Sequence, residues 1–392
     1  MKLKSMLALG VLVATGSLAH SQTTYNITGA TAFRAAANQA IIALLGGNGV
    51  TEYAYTGTAG INGTNRAVFK GTIGGSPVIV RASWSGSTQG ILDLADQTSI
   101  QFLKSTVTTS TGGTVNAGAA GDFETAVARF SFSDVDKLLS SRPNSAIQGE
   151  GVGVVPFMFV AGESAPVGVN NMTDQLHAAL WSTGELPASL FTGNPANAGF
   201  TLLATGRNNG SGTRAAVLAE TQYGAFTNVV QFNQTFSGDR VTGLLTGVPT
   251  LFAPGGNGGH SSNSGVRDLV TRPSSASFAG GQYSFVSYLT ISDAVAATGY
   301  DQATGTISGG EGAKPMTYNG VRYSEANVHN GSYTLWSYQQ LYRAADATPT
   351  EDTFFNNLKG EIDGVLTPVL GLKTSDMNVE RTGGDGGPVS PL

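Results

Sequence analysis

The segment Arg207-Asn-Asn-Gly-Ser-Gly-Thr combines a fixed cation, two hydroxyl groups and two glycines. It follows an apolar run typical of a strand, residues 200–204, and precedes a run of helix-forming residues that starts at Arg214. The first backbone N–H groups of a helix have no partner within the helix, and the helix dipole is positive at that end. Together with the guanidinium of Arg207, these groups can bind a small anion such as phosphate.

Other strand-to-helix junctions of the chain supply the same kinds of group. Each junction by itself is equally typical of an ordinary helix capped by Ser, Thr or Asp. In an open α/β sheet, however, such junctions meet at the carboxyl ends of the strands, where ligands bind. Four junctions in chain order therefore predict one anion site. The other three are Gly29-Ala-Thr-Ala-Phe33, Trp84-Ser-Gly-Ser-Thr88 and Ser133-Asp134.

Asp134 could make the anion site selective for phosphate over sulfate. Its carboxylate repels a fully ionised ligand but accepts a hydrogen bond from a protonated oxygen. Phosphate near neutral pH carries such a proton and sulfate does not, so Asp134 would favour phosphate. The alternative is that Asp134 is the N-cap of a helix through Leu139.

Composition limits the remaining functions. The chain has 392 residues, a length that suits two domains, and only 12% of them are charged. The absence of cysteine excludes disulfides, a thiol nucleophile, a cysteine-ligated metal and a lipid-anchoring cysteine. The four histidines form no metal-binding pattern, so we expect no metal and no cofactor. A net charge of −5 argues against nucleic acid as a partner.

The N-terminus predicts export. A short basic region, residues 1–4, precedes an apolar segment at residues 5–18 and small residues at a cleavage position before Gln22. We therefore expect residues 1–21 to be a signal peptide. The mature protein is expected in the periplasm or outside the cell.

Alternating apolar and amphipathic runs predict an α/β protein. A continuous apolar run at residues 152–161 predicts a buried central strand, and residues 104–122 predict an exposed loop. The other predicted strands are residues 24–29, 52–55, 67–70, 78–83, 200–204 and 283–289. The predicted helices are residues 32–45, 89–94, 134–139, 173–180, 186–191, 214–220, 266–270, 333–343 and 353–365.

The four junctions resemble, in the same order, those of the phosphate-binding protein family of bacterial ABC transporters, within the type 2 periplasmic binding proteins. The family's Arg-x-x-Gly-Ser-Gly-Thr element is matched with the same spacing by the segment that starts at Arg207. Its Gly-Ala-Thr-Phe element is similar to Gly29–Phe33, with one additional residue, Ala32. Its Gly-Ser-Ser-Gly-Gly turn is similar to residues 85–90, and its Phe-Gly-Ala-Ser-Asp element to residues 130–134. The resemblance covers most of residues 24–300, and residues 56–76 and 104–122 look like additions.

The resemblance implies two α/β lobes joined by a hinge with two chain crossings, near residues 158–163 and 282–290. Lobe one would combine residues 22–160 and 286–392, and lobe two would be residues 161–285. A ligand would be enclosed when the two lobes close.

The resemblance also assigns roles to individual residues. The first lobe would supply hydroxyl or backbone N–H donors and one acceptor for the phosphate proton, and the second lobe a charged donor and a helix N-terminus. Because the serine-rich turn is longer than in the family, Ser87 could replace Ser85. The implied phosphate ligands are Thr31, Phe33, Ser85, Ser87 and Asp134 in lobe one, and Arg207, Ser211, Gly212 and Thr213 in lobe two.

These roles describe a monomeric solute-binding protein that captures inorganic phosphate for uptake through an ABC-type membrane permease, without chemical turnover. Two other functions suit an exported chain of this composition. An exported phosphatase would need a nucleophile with a base or a metal cluster. An adhesion or matrix protein could use the low charge and the Gly/Thr-rich additions without binding any anion.

Overall fold

The computed structural model describes residues 22–46, 51–116, 118–274, 276–367 and 370–392. The predicted signal peptide, residues 1–21, lies outside the described residues. Within the described ranges, no helix has both the length and the apolarity that a membrane span requires.

Strands and helices alternate along the described chain. The strands are β1 Thr23–Gly29, β2 Glu52–Thr56, β3 Arg66–Ile73, β4 Ser76–Ser83, β5 Ser99–Leu103, β6 Ser110–Thr111, β7 Thr114–Asn116, β8 Phe123–Val127, β9 Phe130–Ser133, β10 Gln148–Ala161, β11 Asn171–Met172, β12 Glu185–Pro187, β13 Phe200–Ala204, β14 Phe232–Ser237, β15 Leu244–Leu251, β16 Gln282–Thr290, β17 Lys314–Pro315, β18 Thr317–Tyr318, β19 Trp336–Arg343, β20 Val379–Arg381 and β21 Val389–Pro391. The helices are α1 Arg34–Gly46, α2 Gly60–Gly63, α3 Ser87–Ala95, α4 Asp174–Thr183, α5 Ser189–Thr192, α6 Gly212–Glu220, α7 Asn263–Val270, α8 Ile291–Thr298, α9 Glu325–His329 and α10 Pro349–Val365.

One mixed sheet of thirteen strands organises the molecule. Its hydrogen-bonded order is β12-β13-β16-β10-β19-β9-β1-β4-β3-β2-β6, with β17 beside β10 and β7 beside β2. The pairs β1–β4, β1–β9 and β13–β16 are parallel, and β10 is antiparallel to both of its long neighbours. The α/β class predicted from the sequence is confirmed.

Strand β10 changes partners halfway along its length. Residues 148–156 pair with β19, whereas residues 157–161 pair with β16. The run from Val152 to Ala161 is buried throughout, as the continuous apolar pattern predicted. The strand thus belongs to two groups of neighbours, one on each side of the bond between Pro156 and Phe157.

The chain stays beside the second half of β10 after β16 ends. Strand β17 pairs with residues 160–161, and β18 pairs with β11. The N–H of Phe157 donates to the carbonyl oxygen of Leu335 at 3.0 Å. Only with β19, which starts at Trp336, does the chain return to the first group of strands.

The predicted helix at residues 333–343 is wrong, because this segment contains strand β19. The apolar residues Trp336 and Leu341 have a spacing that helices also show, but the segment lies between β9 and β10 in the centre of the sheet. Polar Ser337 and Gln339 are fully buried there as well. Burial on both faces and pairing on both edges therefore override the local pattern.

The predicted helix from Asp134 to Leu139 is also wrong. After β9 the chain forms only a 3₁₀ turn, Lys137–Leu139. Its N-cap is Asp136, whose Oδ1 accepts a hydrogen bond from the N–H of Leu138 at 2.8 Å. Asp134 is therefore not a helix cap, and its side chain is available for other contacts.

Two further predicted segments differ from the structure. The helix expected at residues 186–191 is replaced by the short strand β12 and the single turn α5. Residues 104–122 are largely irregular, but β6 and β7 within them pair with the edge strand β2.

The C-terminal hairpin β20–β21 ties α6 to the loop after β9. Arg381 and Glu220, at the end of α6, form an ion pair at 2.6 Å, with side chains 3% and 1% exposed. The guanidinium of Arg381 also stacks on Trp336, 4.3 Å from the ring centroid. Asp385 accepts a hydrogen bond from the N–H of Asp136 at 2.7 Å. The hairpin thus fixes the far end of a helix whose first turn lies in the candidate site.

His177 on α4 is a buried residue with a consequence for stability. Its side chain is fully buried and stacked on Trp181, with ring centroids 4.5 Å apart, and neither ring nitrogen has a hydrogen-bond partner among the described residues. Burial lowers the pKa of His177 from 6.5 to about 3. The folded protein therefore keeps this ring neutral at pH values at which the unfolded chain binds a proton.

Stability should consequently fall as the pH drops through 6.5. The cost of keeping His177 neutral is about 2 kcal/mol between pH 7 and pH 5. We expect the His177→Phe variant to lose about 2 kcal/mol less over that interval than the unmodified protein, measured by urea unfolding at both pH values. Equal losses in the two proteins would contradict this role.

Candidate functional site

Arg207 is held by the loop that precedes α7. The residue lies just after β13 and is 1% exposed. Its Nε donates to the carbonyl oxygen of His260 at 3.2 Å, and Nη2 donates to the carbonyl oxygen of Ser261 at 3.0 Å. Nη1 donates to Oδ1 of Asn263 at 2.9 Å. The same Nη2 reaches the hydroxyl of Thr31 at 3.2 Å, so two junctions far apart in the sequence meet at this guanidinium.

These four acceptors are all uncharged. Burial lowers the pKa of Arg207 to about 10, and the nearby carboxylate of Asp134 acts in the opposite direction. Arg207 thus remains a cation at neutral pH. Its charge is not cancelled by a direct ion pair among the described residues.

The first turn of α6 lies beside Arg207. Ser211 is its N-cap, with a side-chain hydroxyl that accepts a hydrogen bond from the N–H of Arg214 at 3.3 Å. The backbone N–H groups of Gly212 and Thr213 have no acceptor among the described residues, as expected for a first helical turn. The hydroxyl of Thr213 donates to Oδ2 of Asp134 at 3.2 Å.

Asp134 lies at the end of β9 and is 1% exposed. Its backbone is fixed on both sides, because its N–H donates to Oγ of Ser87 at 3.1 Å and its carbonyl oxygen accepts from the hydroxyl of Ser337. Its Oδ2 accepts from Thr213, but Oδ1 has no hydrogen-bond partner in the described part of the chain. Asp134 thus presents one unpaired buried acceptor to the cluster.

Burial raises the pKa of Asp134 to about 6. The neighbouring Ser87 hydroxyl, the hydrogen bond from Thr213 and the charge of Arg207 act against this rise. The carboxyl group is therefore ionised at neutral pH and takes up a proton in mildly acidic solution.

The serine-rich turn contributes Ser87 and not Ser85 to this cluster. Ser87 is the first residue of α3, is 1% exposed, and contacts Asp134. Ser85 is exposed, and its hydroxyl contacts Thr28 at 3.0 Å and Asp93 at 3.3 Å instead.

Phe33 has its side chain in the core. Its ring is 1% exposed and lies 5.7 Å from the ring of Phe132. Only the backbone of Phe33 could therefore take part in a polar site.

The two sides of the cluster approach each other closely at glycines. A Cβ atom added to Gly212 would lie 2.3 Å from Cβ and Oγ of Ser87 and 3.2 Å from Oδ2 of Asp134. A Cβ atom added to Gly86 would lie 2.6 Å from the carbonyl oxygen of Gly210, and φ of Gly86 is +114°. The contact between α3 and α6 thus requires residues without side chains at both positions.

Sequence reasoning missed two residues of the cluster, Asn263 and Ser337. Asn263 lies three residues before the predicted helix at residues 266–270, although Ser262 before it is a good helix N-cap. Ser337 lies in β19, which was assigned as helix. Neither position has a local pattern that would link it to the anion site.

The cluster contains a cation, hydroxyls and a carboxylate but no metal-binding set. Across the described residues, no group of three or more His, Asp or Glu side chains is arranged to hold a metal ion.

No protein-family model matches the sequence, and no curated protein matches it. Several solved structures are nevertheless similar to this structure. A proposed phosphate ABC transporter substrate-binding protein from Clostridium perfringens, solved with bound phosphate, is similar over 90% of this chain and 99% of its own, at 12% identity and a TM-score of 0.50. An ABC-type phosphate transport receptor from Vibrio cholerae is similar over 86% of this chain and 93% of its own, at 13% identity and a TM-score of 0.44. A proposed phosphate-binding protein from Planctomyces limnophilus is similar over 89% and 92%, at 13% identity and a TM-score of 0.43.

The similarity to the Clostridium perfringens structure extends over nearly the whole of both chains. This protein therefore shares the α/β fold of that structure. The α/β fold expected from the family resemblance is confirmed, whereas the two lobes and the two-crossing hinge stay a prediction.

The close approach at Gly212 gives a testable prediction. Gly212→Ala should force α6 away from Ser87 and lower the free energy of unfolding by about 1–3 kcal/mol. Gly210→Ala is the matched control, because its added Cβ would lie 3.7 Å from Cβ of Gln89, an ordinary contact. Urea unfolding of both variants measures the difference. Equal stability of the two variants would show that the contact is loose.

Proposed function

We propose that this protein is an exported solute-binding protein that captures inorganic phosphate between two lobes, without chemical turnover. One observation carries the proposal: buried Arg207, the first turn of α6 and the unpaired carboxylate oxygen of Asp134 lie in one cluster. The similarity of fold to a proposed phosphate ABC transporter substrate-binding protein supports it.

The positive side of the cluster suits an anion. The positive charge of Arg207 is not compensated by its hydrogen-bond acceptors, because they are neutral. The free N–H groups of Gly212 and Thr213 add donors at the positive end of α6. Arginine and oriented N–H groups are the donors that bind phosphate oxygens most strongly.

The negative side of the cluster suits an anion that carries a proton. The Oδ1 atom of Asp134 is an acceptor without a partner, and an ionised carboxylate can only accept. A phosphate P–OH group would donate to it, whereas sulfate would bring a second acceptor against it. The hydroxyls of Thr31 and Ser87 would complete the donor set on this side.

The pairing of β10 supports a specific division into lobes. We propose that lobe one comprises residues 22–156 and 336–392, and that lobe two comprises residues 157–335. This division places the second chain crossing at the bond between Leu335 and Trp336, whereas the family resemblance implies a crossing near residues 282–290. Strand β17 and the Phe157–Leu335 hydrogen bond support this boundary, because they hold parts of residues 291–335 beside the second half of β10.

In this division, the proposed ligand contacts come from both lobes. Thr31, Ser87 and Asp134 belong to lobe one, and Arg207 with residues 211–213 belongs to lobe two. We propose that the exported protein works as a monomer and delivers phosphate to an ABC-type membrane permease. The signal-peptide pattern of residues 1–21 and the fold similarity support this part of the proposal.

Isothermal titration of the ligand-free protein with phosphate tests the function directly. We expect binding that Arg207→Gln weakens at least about a hundredfold, because a buried charge-assisted contact is lost. Arg142→Gln is the matched control, since Arg142 forms an exposed ion pair with Asp96 at 2.7 Å, and its hydrogen bonds go to residues outside the cluster. Circular dichroism checks that both variants fold.

Two results would contradict the proposal. One is the absence of heat with phosphate, which would favour an adhesion or matrix role for the fold. The other is release of phosphate from an ester substrate, which would favour a phosphatase.

The pKa of Asp134 predicts how selectivity depends on pH. At pH 8 the carboxylate is ionised, so phosphate should bind and sulfate should not. As the pH falls through about 6, Asp134 gains a proton that it can donate, and sulfate affinity should rise.

The Asp134→Asn variant tests this assignment, because its amide group can donate to sulfate at every pH. It should bind sulfate at pH 8, with little change in sulfate affinity down to pH 5. Titrations with both anions at pH 5, 6, 7 and 8 measure these trends. Equal affinity of the unmodified protein for phosphate and sulfate at pH 8 would refute the role of Asp134.

A further inference from the structure

We propose that Asn263 is a positioning residue that holds Arg207 through a neutral acceptor, so that the positive charge of Arg207 remains available to the bound anion. The inference rests on the proposed function and deepens it, because it identifies a contact that leaves the charge of Arg207 uncompensated for the bound anion. The contact that carries it is the 2.9 Å hydrogen bond from Nη1 of Arg207 to Oδ1 of Asn263.

A relay of hydrogen bonds fixes the orientation of the Asn263 amide. The Nδ2 group of Asn263 donates to Oγ1 of Thr290 at 3.0 Å, and this hydroxyl donates to Oδ2 of Asp293 at 3.3 Å. Asp293 forms an ion pair with Arg267 at 3.0 Å and, when ionised, can only accept. The hydroxyl proton therefore points to Asp293, its oxygen accepts from the amide nitrogen, and the amide oxygen faces Arg207.

Asn263 is not needed to cap its own helix. Ser262 is the N-cap of α7, and its hydroxyl accepts from the N–H of Gly265 at 3.4 Å. The side chain of Asn263 is buried, and both of its polar atoms are used, one by Arg207 and one by Thr290. Its contacts thus connect the buried cation to α8, not to the first turn of α7.

A carboxylate at position 263 would change the electrostatics without changing the shape. Asp has the size of Asn, but it would form a direct ion pair with Arg207. The anion would then meet a neutralised guanidinium. An Asp at this position would also compete with Asp293 for the single proton of Thr290, so the relay would lose its direction.

The Asn263→Asp variant tests the charge argument by phosphate titration at pH 8. We expect affinity about tenfold to a hundredfold lower than in the unmodified protein, as for the loss of a close charge contact. The melting temperature of the ligand-free variant should not fall, because the new ion pair replaces the hydrogen bond. A purely structural role of Asn263 would instead lower the melting temperature together with the affinity.

Substitution of Thr290 tests the hydrogen-bond relay without changing any charge. Thr290→Val keeps the shape but removes the hydroxyl that orients the Asn263 amide, and it should weaken phosphate binding about threefold to tenfold. Thr290→Ser keeps the hydroxyl and is the matched control, with affinity expected near that of the unmodified protein. Phosphate affinity that is unchanged in both Asn263→Asp and Thr290→Val would overturn the inference.

A measurement without ligand separates this inference from the proposed function. The charge of Arg207 lowers the pKa of Asp134, so neutralising that charge should make Asp134 titrate at a higher pH. Carboxyl-carbon NMR of the ligand-free protein can follow this titration in Asn263→Asp and in the unmodified protein. If the unmodified protein binds no phosphate, the proposed function fails, and the Asp134 titration still decides the role of Asn263. An Asp134 titration that does not move in Asn263→Asp would overturn that role.

Discussion

The structure of the site depends on one constraint, the burial of the Arg207 charge. A guanidinium removed from water must have its N–H groups satisfied by hydrogen bonds, or burial would cost several kcal/mol. Here backbone carbonyls, one amide oxygen and the hydroxyl of Thr31 satisfy it. Because none of these acceptors carries a charge, the field of the cation extends into the cluster, and Asp134 lies within it.

The elements around the site fix the positions of two opposite charges, the guanidinium of Arg207 and the carboxylate of Asp134. Strand β13 and the loop before α7 hold Arg207, whereas β9 and the first residue of α3 hold Asp134. Between them lies the first turn of α6, with Thr213 bonded to the carboxylate. The close contact at Gly212 brings the helix near enough for that bond, and the C-terminal hairpin fixes the other end of the helix through Glu220.

The sequence predicted the parts of the fold that depend on local pattern. Strand β13, the turn and α6 were all identified, because an apolar run, glycines and an N-cap serine favour one backbone path. Strand β19 was missed, since its burial on both faces is a property of its neighbours and not of its own residues. The helix expected after Asp134 was wrong for a related reason: the chain turns early, and Asp136 caps the turn.

What the sequence by itself determined is the chemistry of single junctions: a cation beside a helix N-terminus, and hydroxyls at strand ends. What only the tertiary structure decided is which of these groups meet. Thr31 and Arg207 are 176 positions apart, and Thr213 and Asp134 are 79 apart. The choice of Ser87 over Ser85, and the neutral relay through Asn263, also depend on packing. The physical reason is that a hydrogen bond requires a distance near 3 Å and a defined direction, which only the folded chain sets between distant residues.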